Sequence, residues 1–356
     1  MHWPIIVLYR YATNDAFRAS EIVSLLMLSF ILGSSLHYQV ERRFYSRRFN
    51  RDNPVTGKAY QPKVLYTLAL AAALIVAIGA HAWQTNGWGW RFRSIEYTAE
   101  IIQQGSKNRL TNYRQACFTR HWLNRSDCAL TQPNTVLFLG NSHEPDGFNF
   151  MHAGYPEPLQ EANVFNFGTI NGCTDLTKVD NRWHSTAPGC QIRLDGLFTR
   201  QLDKEIDVIV YSAHHTFLPH NDKPWEMVAD IKRVNPQVKV VVIGDYLETK
   251  TPCVRVRNDA PGQKNCFAFD NVARHAWGYA TSEMYIKHRH LIDVYIDQLK
   301  LLCTSQAPES CLDKTDSGVI YSYDNHHKSI EFSEMAGEMY SAEYPKLWEQ
   351  LLKTSK

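Results

Sequence analysis

Residues 64–83 run from Val64 to Trp83 without a single Asp, Glu, Lys or Arg. A helix of about 20 apolar residues crosses the hydrocarbon core of a bilayer, so the chain is expected to be anchored, with everything after Trp83 on one side. A second apolar run, Ile22 to Leu36, is shorter and spotted with serines, and with its flanks it predicts a span over about residues 18–40. Between the two, residues 41–63 hold Arg42, Arg43, Arg47, Arg48, Arg51, Lys58 and Lys63. Basic loops stay in the cytoplasm, which sends the rest of the chain to the opposite face. Trp83, Trp88 and Trp90 crowd the exit point, where indole rings favour the headgroup layer. Met1 to Tyr11 is too short to span and reads as the end of a third helix. A signal peptide fits poorly, because the strongest span lies far from Met1.

The cysteines agree with that topology from different residues. All eight (Cys117, Cys128, Cys173, Cys190, Cys253, Cys266, Cys303 and Cys311) follow the apolar region, and no CxxC occurs among them. An even set in one segment predicts disulfides in an oxidising compartment rather than zinc. Eight cysteines allow about 105 connectivities. Pairing sequence neighbours (117 with 128, 173 with 190, 253 with 266, 303 with 311) closes the shortest loops. The net charge of +2 gives no reason to invoke nucleic acid.

Residues 84–130 read as a polar, aromatic-rich linker, and residues 131–356 as an extracytoplasmic α/β domain. Strands are expected at Val136–Leu139, Asn163–Phe167, Asp207–Ser212 and Val238–Gly244, each short and apolar as buried parallel strands are. Helices are expected around Ile192–Lys204, Trp225–Val234 and Thr281–Leu302. A last helix runs from Ser329 into Leu347–Leu352, interrupted near Pro345. Alternating strands and helices predict a three-layer α/β/α sandwich around a parallel sheet. No GxGxxG or GxxxxGKS motif supports nucleotide binding.

The first strand stops at Gly140-Asn141-Ser142-His143. In an open parallel sheet the carboxyl ends of the strands face the ligand crevice, so Ser142 stands where a substrate can meet it. A serine nucleophile needs a histidine base and a carboxylate that fixes the histidine tautomer. Asp324-Asn325-His326-His327, just before the last helix, supplies both, although an Asp-x-x-His run also suits a helix cap. His214 and His215 with His326 suggest a metal site only weakly, since no carboxylate or cysteine stands at ligand spacing beside them.

Gly140-Asn141-Ser142-His143 near the start of the domain, a glycine-rich turn at Gly168 to Gly172, and Asp324-x-x-His327-x-Ser329 before the last helix resemble the SGNH (GDSL-like) hydrolase superfamily from about Thr135 to Leu352. With Cys303 and Cys311 ahead of the final motif, they resemble more closely the SGNH domain fused to acyltransferase family 3 membrane proteins, which O-acylate bacterial surface glycans. His2-Trp3-Pro4, the spans and the basic loop are similar to the last helices of that membrane domain, so residues 1–83 would be its C-terminal remnant. The resemblance implies Ser142 as nucleophile, His327 as base and Asp324 as its orienting partner. It implies an oxyanion hole from the N–H groups of Ser142 and Gly172, with Gly168 as the alternative donor. The family's aspartate is replaced here by Asn141, and Ser212-Ala213-His214-His215 stands where many SGNH hydrolases carry Gly-x-Asn-Asp.

The function so implied is an O-acyltransferase, most often an O-acetyltransferase, acting on a cell-envelope polysaccharide such as lipopolysaccharide O-antigen, peptidoglycan or exopolysaccharide. It would sit in the bacterial inner membrane with its C-terminal domain in the periplasm. No tightly bound cofactor or metal is expected. The acyl group would derive from acyl-CoA through membrane helices of the acyltransferase 3 type, of which these residues hold only the tail; the rest would belong either to a longer form of this protein or to a separate polypeptide. A membrane-tethered esterase and a non-catalytic glycan-binding domain are the alternatives.

Overall fold

The computed structural model describes residues 19–38, scattered residues between 66 and 84, and residues 97–352 apart from 169–172, 174, 215–221, 245, 260–264, 269–270 and 275–282. The chain divides near Trp88 into two units.

In the first unit, helix α1 spans Ala19–Leu36. Val23, Leu26, Met27, Phe30 and Ile31 on one face and Ile22, Leu28 and Leu32 on the others are all exposed, so apolar side chains surround the helix instead of forming the single stripe of an amphipathic one. Among the described residues no helix is long and apolar enough to cross a membrane. The run at 64–83 is described for only part of its length, and the basic loop at 41–63 lies outside the described residues.

The second unit is built on a six-stranded sheet whose strands all run parallel. Helix α2 (Ala99–Asn108) leads to a short strand β1 (Cys117–Phe118). Next come β2 (Asn134–Gly140), helix α3 (Glu144–Gly154), β3 (Ala162–Asn166) and β4 (Val208–Ser212). Helix α4 (Asp222–Val234), β5 (Lys239–Gly244), β6 (Val294–Asp297) and helix α5 (Ile330–Glu343) complete the frame. The sheet order is β1-β3-β2-β4-β5-β6. From β2 the chain winds outward to β3 and then returns past β2 to β4, so the order reverses there and opens a crevice at its carboxyl end.

Alternation along the strands separates the layers. Val136, Phe138, Val208, Val210, Val241 and Ile243 face one core, with Phe150 and Met151 of α3 and Phe332 of α5. Leu137, Leu139, Ile209, Tyr211, Val240 and Val242 face the other, with Trp225, Val228 and Ile231 of α4. The three-layer expectation holds. Helices α3 and α5 come so close that a Cβ on Gly337 would lie 2.0 Å from the Phe150 carbonyl oxygen.

Two regions differ from the sequence reading. The helix expected over Thr281–Leu302 is a short helix at Glu283–His288, a turn at Arg289–Leu291, strand β6 and a further short helix at Gln298–Leu302. The run Val294-Tyr295-Ile296 pairs with Val241, Val242 and Ile243 of β5, and a sheet edge with open backbone groups overrides a helical spacing of apolar residues. Within the segment read as a linker, Tyr97 and Tyr113 are buried in the core, and β1 extends the sheet beside β3.

Four disulfides join Cys117 to Cys128, Cys173 to Cys190, Cys253 to Cys266 and Cys303 to Cys311, the nearest-neighbour pairing. Their separations of 11, 17, 13 and 8 residues correspond to roughly 3 kcal/mol each in the loop-entropy account. Together that rivals the 5–15 kcal/mol or so by which whole domains are stable. Reduction at 37 °C should therefore unfold the second unit, read as a loss of near-ultraviolet circular dichroism. A reduced protein that kept that signal would show the bridges to be incidental to the fold.

Candidate active site

The crevice at the end of β2 begins with a residue that has no side chain. A Cβ on Gly140 would lie 1.8 Å from the Ser212 carbonyl oxygen of β4, so only glycine lets the two strand ends close together. Asn141 then ties them. Its Oδ1 accepts the N–H groups of His143 and His214, each at 3.0 Å, and its Nδ2 donates to the His214 carbonyl at 3.1 Å. A carboxylate here could accept the first two bonds but could not donate the third. The departure from the family's aspartate is thus matched by a bond that only the amide can make.

Below this turn lies a buried ionic cluster. Arg109, just past α2, donates to Asp146 Oδ1 at 2.7 Å and to the carbonyl oxygen of Ser142. The other Asp146 oxygen accepts the Lys328 N–H at 3.2 Å and lies 3.3 Å from His143 Nδ1. Lys328 is itself buried, with Nζ bonded to Gln298 Oε1 and 4.5 Å from the centre of the Tyr246 ring. Burial pushes its ammonium down to about 8, with Asp146 opposing that fall. Burial works against the Asp146 carboxylate too, but the Arg109 charge and then the His143 contact hold it at about 2.

Asp146→Asn would leave the half-buried Arg109 guanidinium without its anion and take from the buried Lys328 ammonium the opposing charge near it. Breaking a buried pair in this way costs roughly 3–5 kcal/mol, and in a domain of this size each kcal/mol lowers Tm by about 2–4 °C. A fall in Tm on the order of 10 °C is expected by calorimetry. A change within about 2 °C would mean that the cluster holds nothing in place.

The base stands on the loop before α5. Asp324 Oδ1 accepts the N–H groups of His326 and His327 at 2.9 and 2.8 Å, and Oδ2 lies 2.7 Å from His327 Nδ1. Burial opposes the Asp324 charge, but the His327 hydrogen bond and charge, with the two backbone donors, hold the carboxyl far below its ordinary range. With Nδ1 turned to Asp324, His327 Nε2 is buried without a hydrogen-bond partner. The loop is pinned by Asn325, which donates to the Thr249 carbonyl at 2.8 Å, and by Ser329, whose hydroxyl accepts the Phe332 N–H to cap α5.

Asp324 and His327 therefore meet as expected from the sequence. Ser142 stands on the same sheet edge, and the ring of its neighbour His143 lies 4.7 Å from that of His327. Among the described residues, neither the hydroxyl nor the N–H of Ser142 has a hydrogen-bond partner, so a serine–histidine bond is not among the contacts made. Such bonds are often loose before substrate binds. Gly172 lies outside the described residues. Gly168, the alternative oxyanion donor, has a φ of +89°. Its N–H faces Glu144 Oε1 at 3.4 Å. Burial raises the Glu144 carboxyl well above its usual range, and Tyr113 donates its hydroxyl to the same oxygen at 3.0 Å.

Histidines fill the rest of the crevice floor. His143 stacks on His214 with ring centres 4.7 Å apart, and His214 on His326 at 4.9 Å. His143 is fully buried, and that burial pushes its imidazole down to about 3. His215 lies outside the described residues. The sequence reading assigned no role to His143, Arg109, Asp146 or Lys328. Asp146 had a local signal, an acid in the first turn after the serine, and Lys328 stands inside the last motif. Arg109 had none, since its partners lie 33 and 37 residues away.

Residues 115–342, more than half of the chain, match the family described as "SGNH domain (fused to AT3 domains)". Among curated proteins, no sequence matches. Among solved structures, the chain is similar to the periplasmic domain of a lipopolysaccharide acetyltransferase from Salmonella ser. Paratyphi A, with a TM-score of 0.52 and 12% identity. The likeness covers 71% of this chain and 99% of that domain, and at that identity it speaks to the fold.

Proposed function

We propose, from the premise that this chain belongs to the family of SGNH domains fused to AT3 domains, that it is an O-acyltransferase, and specifically an O-acetyltransferase, of a cell-envelope glycan. The observation that carries this reading is His327 Nε2, buried and unpartnered while Asp324 holds Nδ1, near the end of β2 where the half-buried Ser142 stands. His327 takes the Ser142 proton as Oγ attacks the acyl carbonyl, and the donor's oxygen or sulfur leaves with that proton. A sugar hydroxyl then attacks the acyl-serine, His327 removes its proton, and Ser142 recovers one as the new ester departs. The N–H of Ser142, with Gly172 as second donor, would hold the oxyanion.

Four disulfides belong to an extracytoplasmic, oxidising compartment. The apolar surface around α1 and the charge-free run at 64–83 support a membrane anchor in the bacterial inner membrane, lipid-contacting, with this domain in the periplasm. In this reading the acyl group originates in acyl-CoA and reaches Ser142 through membrane helices of the acyltransferase 3 type, and the protein itself needs no tightly bound cofactor. The similarity of the fold to the periplasmic domain of a lipopolysaccharide acetyltransferase supports acetyl as the group and lipopolysaccharide as the glycan class.

The test is acceptor dependence. Full-length protein in detergent, given a p-nitrophenyl acetate donor, should move radiolabelled acetyl onto purified O-antigen polysaccharide. Release of free acetate at a rate that polysaccharide does not alter, with no label on the glycan, would reject transfer in favour of the esterase.

A further inference from the structure

Three imidazoles converge in the crevice from two distant parts of the chain. One ring nitrogen from each of His143, His326 and His327 lies within 4.8 Å of the others. His143 Nε2 and His326 Nδ1 are 3.0 Å apart, and the His326 and His327 ring centres are separated by 4.0 Å. Nitrogens bonded at 2.0–2.1 Å to one tetrahedral ion stand about 3.3 Å apart, so small ring rotations would bring all three onto a common centre.

The surroundings of the rings are also those of a metal site. Metal-bound histidines almost always present their other nitrogen to a carboxylate, carbonyl or water, which fixes the tautomer and raises the ring's basicity as a ligand. Asp324 Oδ2 lies 2.7 Å from His327 Nδ1, and Asp146 Oδ2 lies 3.3 Å from His143 Nδ1. This turns His327 Nε2, which is buried and unpartnered, and His143 Nε2 toward the shared centre. The spacing that sequence reading considered, His214 and His215 with His326, does not describe this set.

We propose that His143, His326 and His327 form a binding site for a divalent transition ion of the zinc class, and that the bound ion inhibits the enzyme. Imidazole donors suit Zn²⁺, Co²⁺, Ni²⁺ and Cu²⁺ and discriminate against Mg²⁺ and Ca²⁺. In the contact between His143 and His326 one nitrogen carries the hydrogen that the other accepts. The ion takes the place of that hydrogen, which moves to the far nitrogen of the same ring, so each imidazole ligand stays neutral. The inhibitory half rests on the proposed role of His327, whose Nε2 lone pair cannot bind the ion and accept the Ser142 proton at once.

Tag-free, full-length protein in detergent, stripped with EDTA, would be titrated with Co²⁺. One ion per chain is expected, with the visible d–d absorption of a tetrahedral nitrogen site, displaced by Zn²⁺. His326→Ala, at a half-buried position, should weaken Co²⁺ binding at least about 10-fold. Ser142→Ala should bind as the wild type does. Failure to bind one Co²⁺ per chain, or equal affinity in wild type and His326→Ala, would overturn the site. In parallel, saturating Zn²⁺ should abolish Ser142-dependent hydrolysis of p-nitrophenyl acetate, with a midpoint that shifts in His326→Ala by the same factor as Co²⁺ affinity. Binding that is lost in His326→Ala while hydrolysis continues at saturation would overturn inhibition alone. The absorption titration decides the site even if no Ser142-dependent activity exists, so failure of the acyltransferase reading and failure of the metal site are separately visible.

Discussion

Replacing Ser142 by alanine is expected to lower acyl transfer on the order of 10,000-fold or more and to leave Tm within about 1 °C. The second half of that expectation gives the first its meaning. The Ser142 hydroxyl has no hydrogen-bond partner among the described residues, so its removal breaks nothing that holds the fold. Other serines nearby are different. Ser212 Oγ donates to the His143 carbonyl at 2.9 Å, and Ser329 caps α5 while donating to the Ile320 carbonyl at 2.7 Å. Their alanine variants should each lose about 1–2 kcal/mol of stability. Acetylation of glycan by the full chain, measured beside thermal unfolding for the three variants, separates the roles. Unchanged transfer by Ser142→Ala would favour a non-catalytic glycan-binding domain.

The sequence carried this site unevenly, for physical reasons. Strand β2 was legible because a short apolar run ending in glycine has few other uses, and Ser142 follows it at once. Asp324 and His327 were legible because three residues suffice to place a carboxylate against Nδ1 of the same loop. The disulfides were legible because short loops close most easily. Strand β6 was not, since Val294 to Asp297 becomes a strand only when the edge of β5 offers it partners. Arg109 was not, since an arginine in a polar segment carries no sign of an acid 37 positions on. Nor was the imidazole cluster, in which His143 and His326 meet across 183 positions. Local chemistry can be read from neighbours, whereas contacts made by the winding of the sheet need the fold.

The Asp324→Asn variant examines the base without touching the serine. Asparagine is nearly isosteric, and its Oδ1 can still accept the N–H groups of His326 and His327, so the loop should keep its shape and Tm should fall by no more than a few degrees. The amide nitrogen replaces Oδ2, which now lies 2.7 Å from His327 Nδ1. That nitrogen can only donate, so Nδ1 must become the acceptor and the ring hydrogen moves to Nε2. Nε2 is the atom that must hold a lone pair to take the Ser142 proton. The wrong tautomer at an intact site should lower kcat on the order of 10,000-fold, with KM for the acyl donor little changed, since Asp324 acts through His327 rather than on substrate. A loss of less than about tenfold would mean that Asp324 serves the loop as a cap and that His327 is oriented by something else. A loss as large as that of Ser142→Ala, with Tm held, would tie Asp324, His327 and Ser142 into one catalytic unit.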